Sequence, residues 1–158
     1  MNTQVMFYQL NDPRFNREQQ LQALHVHACF QAAYFYRQNQ RVFIYAQDQS
    51  QAHEIDELLW SFDPDSFVPH NLIGEGPANG SPVEISWQPP RNRRPILINL
   101  TNAVPAFANQ FSFIVDFVPE NESLKVAARE RYKHYKQLGF DVQHQKVISE
   151  QQSTATTN

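Results

Sequence analysis

Apolar residues along the chain follow two patterns. Some form short unbroken runs, and others recur singly every three or four positions. Short runs rich in β-branched and aromatic residues, with polar clusters on both sides, predict strands. The run RVFIYA is apolar throughout after its arginine, which is typical of a strand covered on both faces. The predicted strands cover residues 4–10, 41–46, 83–87, 96–100 and 111–118, with a short edge strand at 140–146.

Three segments carry apolar residues at helical spacing, and each begins after a residue that favours a helix N-cap. Asn16 caps the first helix, Ser50 the second, and either Asn121 or Ser123 the third. Gly139 closes the third helix, because glycine readily adopts the left-handed conformation found after a helix end. The predicted helices cover residues 17–40, 51–60 and 124–139, and a short helical turn covers residues 105–110.

Strands that alternate with helices predict an α/β fold with a mainly parallel central sheet and helices on both faces. A chain of 158 residues fits a single domain, which we place at residues 1–142. Residues 143–158 are predicted to form a polar tail that is partly disordered. Folds of this class often bind nucleotides at the carboxyl ends of their strands, so any glycine-rich loop has to be tested as a phosphate site.

The segment 74–80 (GEGPANG) does not meet the requirements of a phosphate loop. Its glycines are spaced one residue too widely for a dinucleotide fingerprint, and a strand follows it rather than a helix. Pro77 lacks the backbone N–H that would bind phosphate, and Glu75 adds negative charge. We therefore predict that the segment is a structural turn, with Asn79 and Gly80 at a tight turn, and that the chain has no cofactor.

No arrangement of side chains predicts a catalytic or metal site. His25 and Cys29 share a helix face, but a zinc site needs three or four ligands. His70 has no evident partner, and Glu54 and Asp56 are expected to form a solvated helix face. The single cysteine excludes a disulfide framework and favours a cytoplasmic location. No apolar run approaches the roughly 20 residues that cross a membrane.

Charge is unevenly distributed in a chain whose formal net charge is -3. Lys125, Arg129 and Lys133 are four residues apart on the last predicted helix, and Tyr132 and Lys136 lie near the same stripe. Two interpretations remain open. The stripe is either a solvated face whose cations suit the helix C-terminus, or a patch for an anionic partner. That partner would be nucleic acid or an acidic peptide, and the embedded tyrosine suits a peptide with an apolar side chain.

Two further groups of residues are candidate surface features. Arg91, Arg93 and Arg94 form a second basic cluster in a predicted loop. Trp60 and Phe67 flank the turn after the second helix, where each is either part of the core or an exposed anchor for a protein partner.

Four segments in order along the chain resemble the chi subunit family of bacterial DNA polymerase III: SFVPHNLIGEGP, SPVEISW, FIVDFVPENESLK and ARERYKHYKQLGF. The resemblance implies a fold similar to mononucleotide-binding domains but without a working phosphate loop. It also implies a non-catalytic accessory subunit of the replicative polymerase holoenzyme, attached to the clamp loader.

The resemblance further implies two partners and a site for each. The acidic, phenylalanine-ended C-terminal tail of single-stranded DNA-binding protein is expected to bind the last helix. The psi subunit is expected to bind Trp60 and Phe67. Some members of the family are thought to bind a helicase over the same surface, which leaves open whether psi and a helicase exclude one another. The residues implied for the tail site are Lys125, Arg129, Tyr132 and Lys133, with Phe117 and Val118 as an apolar floor.

Little direct binding of DNA is expected from a chain of this net charge. The main alternative is a module that binds single-stranded nucleic acid directly through the basic last helix. A third interpretation, a nucleotide-dependent enzyme, would require that ATP or NAD raise the melting temperature.

Overall fold

The computed structural model describes residues 2–10 and 16–147. Their strands are β1 Gln4–Leu10, β2 Val42–Tyr45, β3 His70–Leu72, β4 Val83–Ser86, β5 Ile96–Asn99, β6 Phe113–Val118 and β7 Asp141–Val147. Their α-helices are α1 Arg17–Arg37, α2 Gln49–Ser61 and α3 Glu122–Gln137, and Ala108–Gln110 forms a 3-10 turn.

The seven strands form one sheet in the order β3-β4-β2-β5-β6-β1-β7. All six pairings between neighbouring strands are parallel. The predicted α/β class is confirmed, and the sheet described here is parallel throughout. The four central strands β2, β4, β5 and β6 are almost wholly buried, as expected for a parallel sheet covered on both faces.

Helices cover the two faces of the sheet unequally. Parallel crossovers are right-handed, so connections that run toward β3 and those that run toward β7 lie on opposite faces. α1 and α2 run toward β3, and Ala28 and Ile55 belong to one apolar cluster with Val115. α3 and the 3-10 turn follow the other direction, and Tyr135 and Ala108 belong to the second cluster.

The helix ends show which predicted caps form. Asn16 makes a full capping box, in which its side chain accepts from Gln19 N and the Gln19 side chain accepts from Asn16 N, both at 2.8 Å. Asn121 rather than Ser123 caps α3. The predicted cap at Ser50 is wrong, because the Asp48 carboxylate accepts from Gln51 N at 2.8 Å and α2 begins two residues earlier.

Two differences from the sequence prediction concern strands. β3 was missed because it has only three residues, two of them the polar His70 and Asn71. β7 is the predicted edge strand, but it continues to Val147 and so crosses the expected domain boundary at residue 142. The rest of the predicted tail, residues 148–158, lies outside the described residues.

Two arginines hold the glycine-rich segment. Arg41 Nη2 donates to the carbonyl oxygens of Asn79 and Gly80 at 2.6 and 2.9 Å. Arg94 Nη1 donates to those of Ser81 and Pro82 at 2.8 and 3.0 Å. The segment therefore turns carbonyl oxygens toward cations, which is the opposite polarity to a phosphate cradle.

The Arg94 side chain is buried, so the predicted surface cluster of three arginines is wrong for this member. Burial lowers its pKa to about 10, partly opposed by the nearby Glu84 carboxylate. Arg91 and Arg93 are exposed.

The core also contains a histidine. His27 packs against the rings of Tyr8 and Phe117 at centroid distances of 5.0 and 5.5 Å, and its Nδ1 has no hydrogen-bond partner among the described residues. Burial lowers the pKa of His27 to about 4. The folded protein therefore holds this ring neutral at pH values where the unfolded chain would protonate it.

Replacing Gly80 by alanine should destabilise the fold more than the same change at Gly74. Both residues have positive φ, +75° and +85°, so each substitution costs about 1–2 kcal/mol of backbone strain. At Gly80 a Cβ would also collide with Arg94 Nη2 and lie 2.8 Å from Glu84 Oε1, which adds about 1–3 kcal/mol. At Gly74 a Cβ meets nothing within 4 Å. Urea unfolding of both variants tests this, and equal losses would contradict it.

Stability should fall as pH decreases from about 6.5 to about 4. The unfolded chain binds more protons than the folded one in this window because the folded pKa of His27 is depressed. The effect is at most about 3 kcal/mol, from 1.36 kcal/mol per pKa unit. The His27→Phe variant, measured by urea unfolding across pH, should have a shallower slope. A slope in His27→Phe as steep as that of the wild type would contradict this.

Candidate partner-binding sites

The third helix carries four cations and one tyrosine along one side, which we call the α3 stripe: Lys125, Arg129, Tyr132, Lys133 and Lys136. α3 packs on the sheet through Ala128, Arg131 and Tyr135, which are buried. Residues three or four apart share a helix face, so burial of those three positions directs the stripe outward.

Within the α3 stripe, the tyrosine is the apolar centre. Tyr132 is half-buried, and its ring contacts Phe7 at a centroid distance of 5.5 Å. Lys136 Nζ lies 5.5 Å from the centre of the Tyr132 ring, within reach of a cation–π contact. The Tyr132 ring therefore packs against Phe7 and also has a cation beside it.

The cations of the α3 stripe differ in their own ion pairs. Lys125 Nζ lies 3.1 Å from Glu120 Oε1, and both side chains are partly buried. Lys133 Nζ lies 3.8 Å from Glu130 Oε1, in a pair that is well exposed. Arg129 is exposed and makes no ion pair with the described residues. Arg129 and Lys133 are therefore the more available cations for an anionic ligand.

The two residues proposed as an apolar floor lie on opposite faces of the sheet. Successive strand residues point to opposite faces, and Val118 belongs to the apolar cluster that contains Tyr132. Phe117 points to the other face, where it packs against Tyr8 and His27 and is 1% exposed. The structure brings Val118 to the α3 stripe but keeps Phe117 away from it.

A buried polar network joins α3 to β6. Arg131 Nε lies 3.2 and 3.1 Å from the two carboxylate oxygens of Asp116, and Arg131 Nη2 donates to Asp116 Oδ1 at 3.0 Å. Tyr135 donates to Asp116 Oδ2 at 2.8 Å, and Asn99 Nδ2 donates to the same oxygen at 3.3 Å. Burial raises the pKa of the Tyr135 hydroxyl well above its usual range, and the Asp116 carboxylate adds to the shift.

The sequence analysis missed this network, although two signals pointed to it. Asp116 interrupts the apolar strand FIVDFV, where a charge needs a partner. Arg131 occupies the buried side of α3 beside Tyr135, whereas the other cations of the helix face outward.

A second candidate surface lies at the end of α2. Trp60 and Phe67 are 60% and 67% exposed, and their ring centroids are 6.1 Å apart. We call these two residues the aromatic pair. Exposed large aromatics that touch one another are typical of a protein-binding surface rather than of a core.

His70 packs against one member of the aromatic pair. The His70 ring lies 4.7 Å from that of Trp60, and its Nδ1 lies 2.7 Å from the Val68 carbonyl oxygen. Its Nε2 lies 3.3 Å from Asp56 Oδ1. The expectations that His70 lacks a partner and that Asp56 is only a solvated charge are wrong, because the fold brings together these two residues, which are 14 positions apart in the sequence.

A crevice lies at the carboxyl ends of β2 and β5, where neighbouring strands continue toward opposite faces. This is the position at which α/β folds usually bind ligands. Its cavity measures about 390 Å³. At the start of α2, however, Asp48 Oδ1 accepts from Gln51 N at 2.8 Å and Gln51 Oε1 accepts from Gln47 N at 2.7 Å. A phosphate arriving there would meet the Asp48 carboxylate.

Two further features, a metal-binding cluster and a membrane-spanning helix, are absent from the described residues. These residues contain no cluster of three or more histidine, cysteine, aspartate or glutamate side chains arranged to hold a metal ion. None of the helices described is long and apolar enough to cross a membrane.

Comparison with known proteins gives a consistent family. The family described as "DNA polymerase III chi subunit, HolC" matches residues 2–143. The DNA polymerase III subunit chi of Escherichia coli (strain K12) is 48% identical over 124 residues, which cover 77% of this chain and 84% of that protein. The protein of the same name from Haemophilus influenzae is 46% identical over 122 residues, covering 76% and 85%. That from Pseudomonas aeruginosa is 35% identical over 121 residues, covering 76% and 84%.

A solved structure shares the fold alone. The crystal structure of T4 UvsW aligns with a TM-score of 0.60 at 10% identity, covering 93% of this chain and 41% of that one.

Removing one partner of the buried Asp116–Arg131 pair should destabilise the fold by about 3–5 kcal/mol, because the other charge is left uncompensated. Asp116→Asn and Arg131→Met test this by urea unfolding. Replacing both residues together, Asp116→Leu with Arg131→Met, should recover part of the loss.

The control is Glu130→Gln, which removes the carboxylate of an exposed pair and should cost about 0.5 kcal/mol or less. A loss at Asp116→Asn no larger than that of the control would mean that the buried pair does not hold α3.

Proposed function

The chain belongs to the DNA polymerase III chi subunit family, and we propose that it connects two partners within that replication machinery. One is the psi subunit, which attaches it to the clamp loader. The other is the acidic C-terminal tail of single-stranded DNA-binding protein. The observation that carries the proposal is the presence of two chemically different exposed surfaces, one cationic and one aromatic, at distant places on one sheet.

The α3 stripe supports the assignment of the acidic tail. Exposed Arg129 and Lys133 offer donors to the tail's carboxylates, and an arginine accepts a carboxylate in a bidentate geometry. Half-buried Tyr132 and Val118 pack against the same apolar cluster, and we expect them to provide an apolar surface for a terminal phenylalanine. Phe117 has no part in this site because it packs on the other face of the sheet.

The aromatic pair supports the assignment of psi. Trp60 and Phe67 resemble the aromatic anchors that dominate protein interfaces, and the His70 ring packs against the Trp60 indole. A helicase that uses the same two rings would exclude psi by direct overlap.

The separation of the two surfaces allows both partners to bind together. α3 packs on β6 and β7, whereas Phe67 precedes β3 at the opposite edge of the sheet. With strands about 4.8 Å apart, the two surfaces are on the order of 20–30 Å from one another. A tail held by a few exposed ion pairs has micromolar-like affinity, and several tails acting with a second tether raise the effective strength.

We further propose that the chain acts without catalysis and in the cytoplasm. The start of α2 supports the first part, since its own side chains occupy the backbone N–H groups that a nucleotide phosphate would use. ATP or NAD should accordingly leave the melting temperature unchanged, and a clear rise would contradict this.

Paired variants should separate the two surfaces. Arg129→Ala with Lys133→Ala should weaken binding of a labelled tail peptide about tenfold or more, with the loss largest at low salt, because exposed charge pairs are screened. The same variant should keep psi, as measured by co-elution in gel filtration. Trp60→Ala with Phe67→Ala should lose psi and keep the tail.

Two controls define the outcomes. A tail peptide without its last phenylalanine should bind weakly to every variant. A bare single-stranded oligonucleotide at physiological salt tests the alternative: tight binding to it, with none to the tail, would favour a direct nucleic-acid module. Loss of both partners in either double variant would mean that the surfaces are not separate.

A further inference from the structure

Glu120 forms an ion pair with Lys125, one of the cations that the proposed ligand would contact. We propose that Glu120 is an internal competitor for Lys125, so that it sets how much negative charge a ligand must carry to bind the α3 stripe. This inference rests on the proposed function, because it concerns the same surface and the same acidic ligand.

The geometry distinguishes this ion pair from the other one on the helix. Lys125 Nζ lies 3.1 Å from Glu120 Oε1, and the two side chains are 24% and 28% exposed. The Lys133–Glu130 pair is 3.8 Å long, and its side chains are 69% and 71% exposed. Water screens the first pair less, so the Lys125 charge is the more fully neutralised of the two.

The backbone at Glu120 is held in place by the chain around it. Glu120 lies between Val118, the last residue of β6, and Asn121, which caps α3 with hydrogen bonds to Ser123 N and Leu124 N at 3.1 and 3.3 Å. Its own backbone N–H donates to Gln20 Oε1 at 3.4 Å. A segment fixed at both ends presents its carboxylate to Lys125 at little further cost in conformational entropy.

A ligand carboxylate that approaches Lys125 therefore has two options. It displaces Glu120, or it shares the ammonium group, which has three donors, and is repelled by the Glu120 charge beside it. A ligand with one carboxylate gains little in either case. A ligand with several carboxylates also engages Arg129 and Lys133, and it is favoured over the single charge. Glu120 is in this sense a residue that determines specificity for densely acidic tails.

The test is Glu120→Gln, which keeps the shape and removes the charge. Binding of a fluorescein-labelled C-terminal peptide of single-stranded DNA-binding protein is followed by fluorescence polarisation. We expect binding at least about threefold tighter at low ionic strength, since that is the effect of one unit charge roughly 6 Å from another in bulk water, where the interaction is weakest. The gain should shrink as salt is added.

Two matched variants show whether the effect is local. Glu57→Gln changes the net charge equally but lies on α2, on the other face of the sheet, and should bind like the wild type. In a Lys125→Met background, Glu120→Gln should give a clearly smaller gain, because Glu120 then has no ammonium group to withhold from the ligand and acts only by direct repulsion; the double-mutant cycle measures this difference. Melting curves of all variants establish that they are folded.

The outcomes separate the inference from the function beneath it. Wild-type binding that Glu120→Gln leaves unchanged would overturn the competitor role and leave the tail site standing. A gain of the same size without Lys125, or one that Glu57→Gln reproduces, would also overturn it. If neither the wild type nor Glu120→Gln binds the tail, the proposed function fails and this inference fails with it.

Discussion

The buried Asp116–Arg131 pair determines which side of α3 faces solvent. Its strand partner is in the middle of β6, and its helix partner lies between Ala128 and Tyr135 on the packed side of α3. A buried charge pair adds little net stability. It nevertheless constrains how the helix packs, because either charge buried without its partner would strongly destabilise the fold. Once Arg131 must meet Asp116, its neighbours Tyr132 and Lys133 are directed toward the surface. The chemistry of the exposed side thus depends on a contact that no ligand touches.

The handedness of the crossovers separates the two surfaces. α1 and α2 turn toward β3 on one face, and α3 turns toward β7 on the other. A right-handed rule for parallel connections leaves no arrangement in which α2 and α3 share a face of this sheet. Under the proposed function, the two partners would be kept apart by this topology alone.

Much of this fold could be predicted because its local signals agree. Asn16 with Gln19, and Gly139 after α3, each combine a cap with the end of an apolar pattern, and the structure places them as expected. The cap of α2 was placed wrongly because Asp48 and Ser50 are both good caps, and the choice depends on where the helix packs. His70 and Asp56, or Arg41 and the glycine-rich segment, meet only through tertiary structure, and local pattern carries no information about such pairs.

The cationic stripe was visible in the sequence, but the sequence could not rank its members. Spacing alone makes Lys125, Arg129 and Lys133 equivalent, whereas the structure gives each a different carboxylate environment. That difference matters in a protein of net charge -3. Because the screening length is about 8 Å at physiological salt, a short tail bound at the stripe interacts only weakly with charges elsewhere on the protein. A long polyanion extends past the stripe, and the net negative charge of the chain gives it no further attraction there. A small patch with a partly neutralised cation therefore suits a short, densely charged peptide better than a nucleic acid strand.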